Sequence, residues 1–159
     1  MFNTHKFWPA VFMTLLVAVS GAFLASVLSP ASAANEPVAT GDFLELEISG
    51  VRNDQGSVIV MVFDNETAWE TEDYNSIIEV RELKAGQQIL KLELTNLTAG
   101  PYAISMWHDE NANGEFDEAG GYPTEGWGLS GAKSLYDEPG WNEARVMPGK
   151  VNMKMVYID

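Results

Sequence analysis

The chain has no cysteine among its 159 residues. That excludes disulfide staples, thiolate metal sites, a cysteine nucleophile and a lipoprotein signal built on a lipid-modified cysteine. Cationic side chains are scarce: nine Lys and Arg stand against 23 Asp and Glu, for a net charge of −14. A chain this acidic is a poor partner for nucleic acid or for an anionic membrane surface, and a good one for cations. Histidine is rare too, with only His5 and His108. A zinc site made from several imidazoles therefore cannot be assembled. Internal repeats and low-complexity tracts are lacking. At this length one domain is the default, and a hydrophobic core can hold it without staples.

There is a single long apolar run, Phe7 to Leu28, behind His5 and Lys6. It is followed by Ser29-Pro30-Ala31-Ser32-Ala33, a small-residue cleavage site. This reads as a secretory signal over residues 1–33, cut after Ala33, which sends the protein to the periplasm or the exterior. The competing reading is an uncleaved membrane anchor, since the run is long enough to span a bilayer. The removed piece holds Lys6 and no acid, so the mature chain carries −15 and has no membrane contact. Residues 34–42, with Pro37 and Gly41, read as a flexible leader, and residues 43–159 as the domain.

The domain is patterned for strands. Phe43 to Ser49 alternates, with Leu44, Leu46 and Ile48 on one face and Glu45 and Glu47 on the other, as a half-buried strand requires. Ser57 to Phe63, SVIVMVF, is apolar throughout and reads as a central strand covered on both faces. With the Asn53-Asp54-Gln55-Gly56 turn between them, the two are expected to form an antiparallel hairpin. A helical turn is expected at Thr67 to Glu70, capped by Asp64 or Asn65. Further strands are expected at Ser76–Leu83, Gln88–Leu94, Tyr102–His108 and Val151–Ile158. Residues 109–149 show little regular pattern, apart from a brief helical turn or strand start at Asn142–Arg145. The period of two and the short turns give an all-β fold, an antiparallel β-sandwich with one long irregular loop region.

That loop region opens with Met106 to Asp117, MWHDENANGEFD. Asp109, Asn111, Asn113, Gly114 and Asp117 have the spacing D-x-N-x-N-G-x-x-D, which matches the first nine positions of a calcium loop. Alternate side-chain oxygens would turn toward one centre, the carbonyl of Glu115 would supply a main-chain oxygen, and Gly114 would allow the backbone to fold back. The twelfth position, where an EF-hand carries a bidentate Glu, is Gly120, and a strand rather than a helix precedes Asp109. This is therefore not an EF-hand, and Glu118 or Glu125 would have to replace the missing ligand. The bland alternative is a metal-free loop folded by Asx turns.

Other constellations are weaker. His108 is expected to pack against Trp127 or bond to loop backbone rather than bind metal. Met61, Met106, Met147, Met153 and Met155 raise copper, but methionine in strands is ordinary core filler. Gly128-Leu129-Ser130-Gly131-Ala132 lacks the second glycine and the strand-turn-helix setting of a nucleophile elbow. A Ser130–His108–Asp109 triad would need neighbouring residues of a strand to point the same way. No catalytic residue and no enzyme activity is expected. Tyr122, Trp127, Tyr136 and Trp141, with His108 nearby, could instead form an aromatic face for a glycan or a protein partner. The competing use of Trp127 and Trp141 is to plug the sandwich end.

Three stretches, GVRNDQGSVIVMVFD, NLTAGPYAISMWHDENANGEFD and WGLSGA, occur in this order along the chain. They resemble the prokaryotic domain of unknown function 2141, whose members are small exported proteins, over nearly the whole mature chain. Trp127-Gly128-Leu129-Ser130 stands where that family often has Tyr-Gly-Phe-Ser. The resemblance implies a β-sandwich of transthyretin-like or immunoglobulin-like kind and implies no activity. The acidic loop belongs to the family signature, which fits a structural role. The sequence thus leads to an exported acidic binding or structural module with one weak calcium site. The runner-up is a recognition module using Trp127 and Trp141.

Overall fold

The computed structural model describes residues 42–158. The signal expected over 1–33 and the leader lie outside the described residues, except that Asp42, placed in the leader from sequence, opens the first strand. Nine strands and two short helices follow one another: β1 (Asp42–Ser49), β2 (Ser57–Phe63), α1 (Glu66–Thr71), β3 (Glu79–Lys84), β4 (Ile89–Leu97), β5 (Ala103–Asp109), β6 (Glu118–Ala119), β7 (Tyr122–Pro123), β8 (Gly126–Leu129), α2 (Trp141–Ala144) and β9 (Gly149–Lys154). No helix among the described residues is long and apolar enough to cross a membrane.

Two sheets, ordered β4-β1-β9 and β3-β2-β5-β8, face each other. Between them lie Leu44, Leu46 and Ile48 from β1, Leu90, Leu92 and Leu94 from β4, Val58, Val60 and Val62 from β2, and Ile104 and Met106 from β5. Each such side chain contributes roughly 1.5–3 kcal/mol by leaving water. The outer face of the first sheet is polar, with Lys91 on Glu47 at 2.9 Å and Lys150 on Glu45 at 2.8 Å. The outer face of the second sheet is covered again. Met61, Phe63 and Ala103 pack there against Trp69 of α1 and Trp141 and Ala144 of α2. Asn65, one of the two candidate caps, accepts the Ala68 N–H at 2.8 Å, and Trp69 Nε1 donates to the Pro139 carbonyl at 2.9 Å. This second core is why β2 is apolar on both faces.

The expected β1–β2 hairpin is not formed. β1 pairs with β4 and, in parallel, with β9, whereas β2 pairs with β3 and β5. Burial explains the separation. A strand with one wet face belongs in the outer sheet, and a strand dry on both faces belongs in the middle layer. Lettered A to G, the seven longer strands divide as D-A-G and C-B-E-F. The immunoglobulin partition is A-B-E-D and C-F-G, so this sandwich does not divide its strands in the immunoglobulin way.

The chain crosses between sheets from β4 to β5 at Thr98–Pro101. Buried Tyr102 pins the corner: its hydroxyl donates to the Thr98 carbonyl four residues back, and Gly100 N donates to Asp42 Oδ2 at 2.9 Å. Burial first, and then the Asp42 charge, push the Tyr102 phenol up to about 12.

The strand bounds also differ from expectation. Tyr74–Ser76 is a 3₁₀ turn, so β3 starts late, and β9 ends at Lys154, after which Val156 bridges to Trp127 in the other sheet. Most of all, the segment 109–149 contains β8, paired with β5. Its glycines hide it from a periodicity reading. A Cβ at Gly128 would stand 2.4 Å from Met106 Cε, and one at Gly126 would stand 2.2 Å from the Tyr157 ring. The space a side chain would take is already filled by large neighbours.

Candidate functional site

The acidic loop sits at the end of β5, at one end of the sandwich. Its first contact is with the turn before β2. Gly56, at φ +59°, lies so close to Asp109 that an added Cβ would fall 1.7 Å from the Asp109 carbonyl oxygen. Glycine is therefore required there both for conformation and for space.

His108 is fully buried and used on both ring nitrogens. Nε2 lies 2.7 Å from the Gln55 carbonyl, which can only accept, so Nε2 carries the proton. Nδ1 lies 2.8 Å from the Tyr157 hydroxyl, which accepts the Arg52 N–H at 3.1 Å. The imidazole is thus a clamp between the turn and the C-terminal segment, with no nitrogen left for a metal. This is the backbone-bonded role expected from sequence, and the packing partner is Tyr157 rather than Trp127.

Asp109 turns into its own loop. One carboxylate oxygen accepts the Asn113 N–H at 3.1 Å and the other the Gly114 N–H at 2.8 Å. Asn111 Oδ1 accepts Asn113 N–H at 2.9 Å, and Asn113 Oδ1 accepts Glu115 N–H at 2.8 Å, two successive Asx turns. The side-chain amides of Asn111 and Asn113 both donate to Asp117 Oδ2. Gly114 has φ +76° with nothing within 4 Å of its Cβ position, so it is needed for conformation alone. Ala112 also takes φ +57°. The structure therefore brings Asp109, Asn111, Asn113 and Asp117 into one compact loop, while the Glu115 side chain faces solvent. Among the described residues no three His, Asp or Glu side chains are gathered as a metal cluster. A cation here would rely on Asn and main-chain oxygens beside the carboxylates. Those carboxylates each keep lone pairs beyond the ones their N–H partners use.

Gly120 and Gly121, both at positive φ, form the two-residue turn of the β6–β7 hairpin. The turn has no side chain to offer, and Glu118 in β6 is exposed. The hairpin returns the chain so that Thr124 N donates to the Asp117 carbonyl at 2.9 Å, and Glu125 then lies beneath the loop. Glu125 is 4% exposed. Its two oxygens accept Glu110 N–H at 2.9 Å and Asp117 N–H at 3.2 Å. Burial above all, with added repulsion from Asp109 and Asp117, pushes its carboxyl up to about 7 against the two amide bonds.

Sequence reasoning missed the brace on the other side. Arg52 donates through Nε to Glu110 Oε1 at 2.8 Å and pairs with Glu110 Oε2 through Nη2. Asn53 Nδ2 reaches the same carboxylate, and Arg52 Nη2 also donates to the Thr124 carbonyl at 3.2 Å. The guanidinium lies 4.5 Å over the Tyr157 ring. Arg52 holds the Glu110 carboxyl below the usual carboxylate range. The signal available is the Arg-Asn pair in GVRND, a rare cation in an acidic chain, beside residues that on their own indicate only a turn.

The remaining candidates are dispersed. Ser130 Oγ accepts the Ile104 N–H at 2.9 Å. Its partner Ile104 lies four residues along β5 from His108, about 13 Å away at strand spacing, so Ser130 and His108 do not meet. Trp141 is 8% exposed and belongs to the second core, and Trp127 is half-buried beside its register partner Trp107. Tyr122 and Tyr136 are 61% and 67% exposed. Met61 lies in one core, Met106, Met153 and Met155 lie in the other, and Met147 is exposed. They form no thioether cluster.

No curated protein and no solved structure matches the chain. The family model described as an uncharacterized protein conserved in bacteria (DUF2141) matches residues 46–155, which hold the three motifs and both sheets except the start of β1, and the chain belongs to that family.

Proposed function

We propose that this is an exported, non-catalytic binding or structural module in which the Asp109–Asp117 loop takes one calcium ion as a structural ligand. The observation that carries the reading is Glu125. It is a buried carboxylate raised to about 7, held against Asp109 and Asp117 at the floor of a loop with calcium spacing. Burial is the larger cause of that shift and repulsion from Asp109 and Asp117 the smaller; the smaller part is what a divalent cation relieves. All the available donors are hard oxygens, which suit calcium rather than copper or zinc. Ligands would come from Asp109, Asn111, Asn113, Asp117 and the Glu115 carbonyl. With Glu125 and Glu110 engaged by amides and by Arg52, few carboxylates are free, so affinity should lie near the roughly 10⁻⁴–10⁻³ M of extracellular modules.

Isothermal titration of calcium into the protein, expressed from its full-length sequence, tests this. One site of that affinity, lost in Asp117→Asn, supports it; no heat and no rise in melting temperature at millimolar calcium overturns it. The second reading, recognition of a glycan or protein by an aromatic face, is favoured by the exposure of Tyr122 and Tyr136. It would run through those rings and Trp127, not through Trp141, and is checked by Tyr122→Ala and Tyr136→Ala in glycan binding.

A further inference from the structure

A cleft of about 460 Å³ opens on the flank of the sandwich, remote from the acidic loop, where the free edges of β8 and β9 face each other. That volume lies in the range of ligand pockets, about 300–1,000 Å³. At one end the edges are joined by reciprocal main-chain bonds between Trp127 and Val156, at 3.0 and 2.9 Å. Past Gly128 the cleft separates them.

The ladders fix which main-chain groups look into it. Just past β8, Ser130 N donates to Ile104 O at 2.8 Å, on the β5 side, while within β8 Trp127 N donates away from β5. The N–H of Leu129 therefore also points away from β5, toward the cleft. Just past β9, Met155 N donates to Ser49 O at 2.8 Å, so alternate residues face β1 and the N–H and C=O of Asn152 in β9 face the other way. Half-buried Leu135, Val146 and Val151 supply apolar walls. Lys133 stands on the rim and makes no ion pair among the described residues; the Asp137 carboxylate beside it accepts the Lys133 N–H at 2.8 Å.

Open strand edges facing across a slot of mixed polar and apolar lining, with lysines beside it, are complementary to one kind of occupant. We propose that the cleft receives a short extended peptide segment of a partner protein. The segment adds main-chain hydrogen bonds to Leu129 and Asn152, places branched apolar side chains against the walls and an acidic one toward Lys133. Lys133 and Lys154 line the cleft against one acid, Asp137, and the chain's distant charges are screened within about 8 Å at physiological salt.

The test is an amide NMR titration of the protein, expressed from its full-length sequence. The probe is the acetylated peptide amide Thr-Val-Glu-Val-Thr, compared with the same peptide N-methylated at alternate amides. The expected result is shifts centred on the Leu129 and Asn152 amides with the first peptide. Binding falls at least tenfold on methylation and several-fold in Lys133→Glu. No response at millimolar peptide, equal binding of the methylated peptide, or shifts centred on another edge or on the acidic loop would each overturn the proposal.

Discussion

Removing the charge of Glu125 while keeping its shape, by Glu125→Gln, should change how stability depends on pH. In the folded protein the carboxyl is raised from 4.5 to about 7. The folded state therefore holds this proton more tightly than the unfolded chain does. The stabilising effect of the proton is complete below about pH 4.5, is lost as pH rises toward 7, and stays lost above that. Each tenfold gain in proton affinity on folding is worth about 1.4 kcal/mol, so the loss is of the order of 3 kcal/mol. Glutamine does not titrate, so its stability lacks this decline. It also brings one acceptor to two donors, the amides of Glu110 and Asp117, an offset of about 1–3 kcal/mol that does not vary with pH. Urea denaturation followed by tryptophan fluorescence, in chelator, from pH 4.5 to 8, separates the two effects. The gap between wild type and variant should move by about 3 kcal/mol in favour of the variant as pH rises. Calcium, by favouring the ionised carboxylate, should flatten the wild-type curve. Parallel curves for the two proteins would refute the reasoning.

Gly56→Ala should cost more than about 3 kcal/mol, since both the positive φ and the contact with the Asp109 carbonyl are violated; an unchanged urea midpoint would count against the close approach. Tyr102→Phe should cost about 1–2 kcal/mol by removing the donor to Thr98 while leaving the ring in place, without altering the m-value. Arg52→Gln should loosen the 109–125 region, seen as faster hydrogen exchange at Glu110 and Asp117. The cost is of the order of 1 kcal/mol, because the Arg52 side chain is partly exposed.

Alternation in the sequence shows which face of each strand is buried, and SVIVMVF shows a strand covered twice. Asn65 and Gly114 are legible because one cap bond or one positive φ is a local matter. Partition between sheets is not legible, because a period of two gives a strand's inward face but not its neighbour; the short turn between β1 and β2 suggests a hairpin that their different burial forbids. β8 is hidden because its inward positions are glycines, made necessary by Met106 and Tyr157 from elsewhere. The candidate ligands are legible from spacing, while their supports are not. Glu125 reaches the loop only because the β6–β7 hairpin returns the chain, and Arg52 meets Glu110 across 58 residues.

The most direct measurement is a crystal structure grown in millimolar calcium. The expected result is a single ion ringed by about six to eight oxygens at 2.3–2.6 Å, drawn from Asp109, Asn111, Asn113, the Glu115 carbonyl and Asp117, with both asparagine amides turned to present oxygen. Asparagine amides still donating to Asp117, with only water among them, would contradict it.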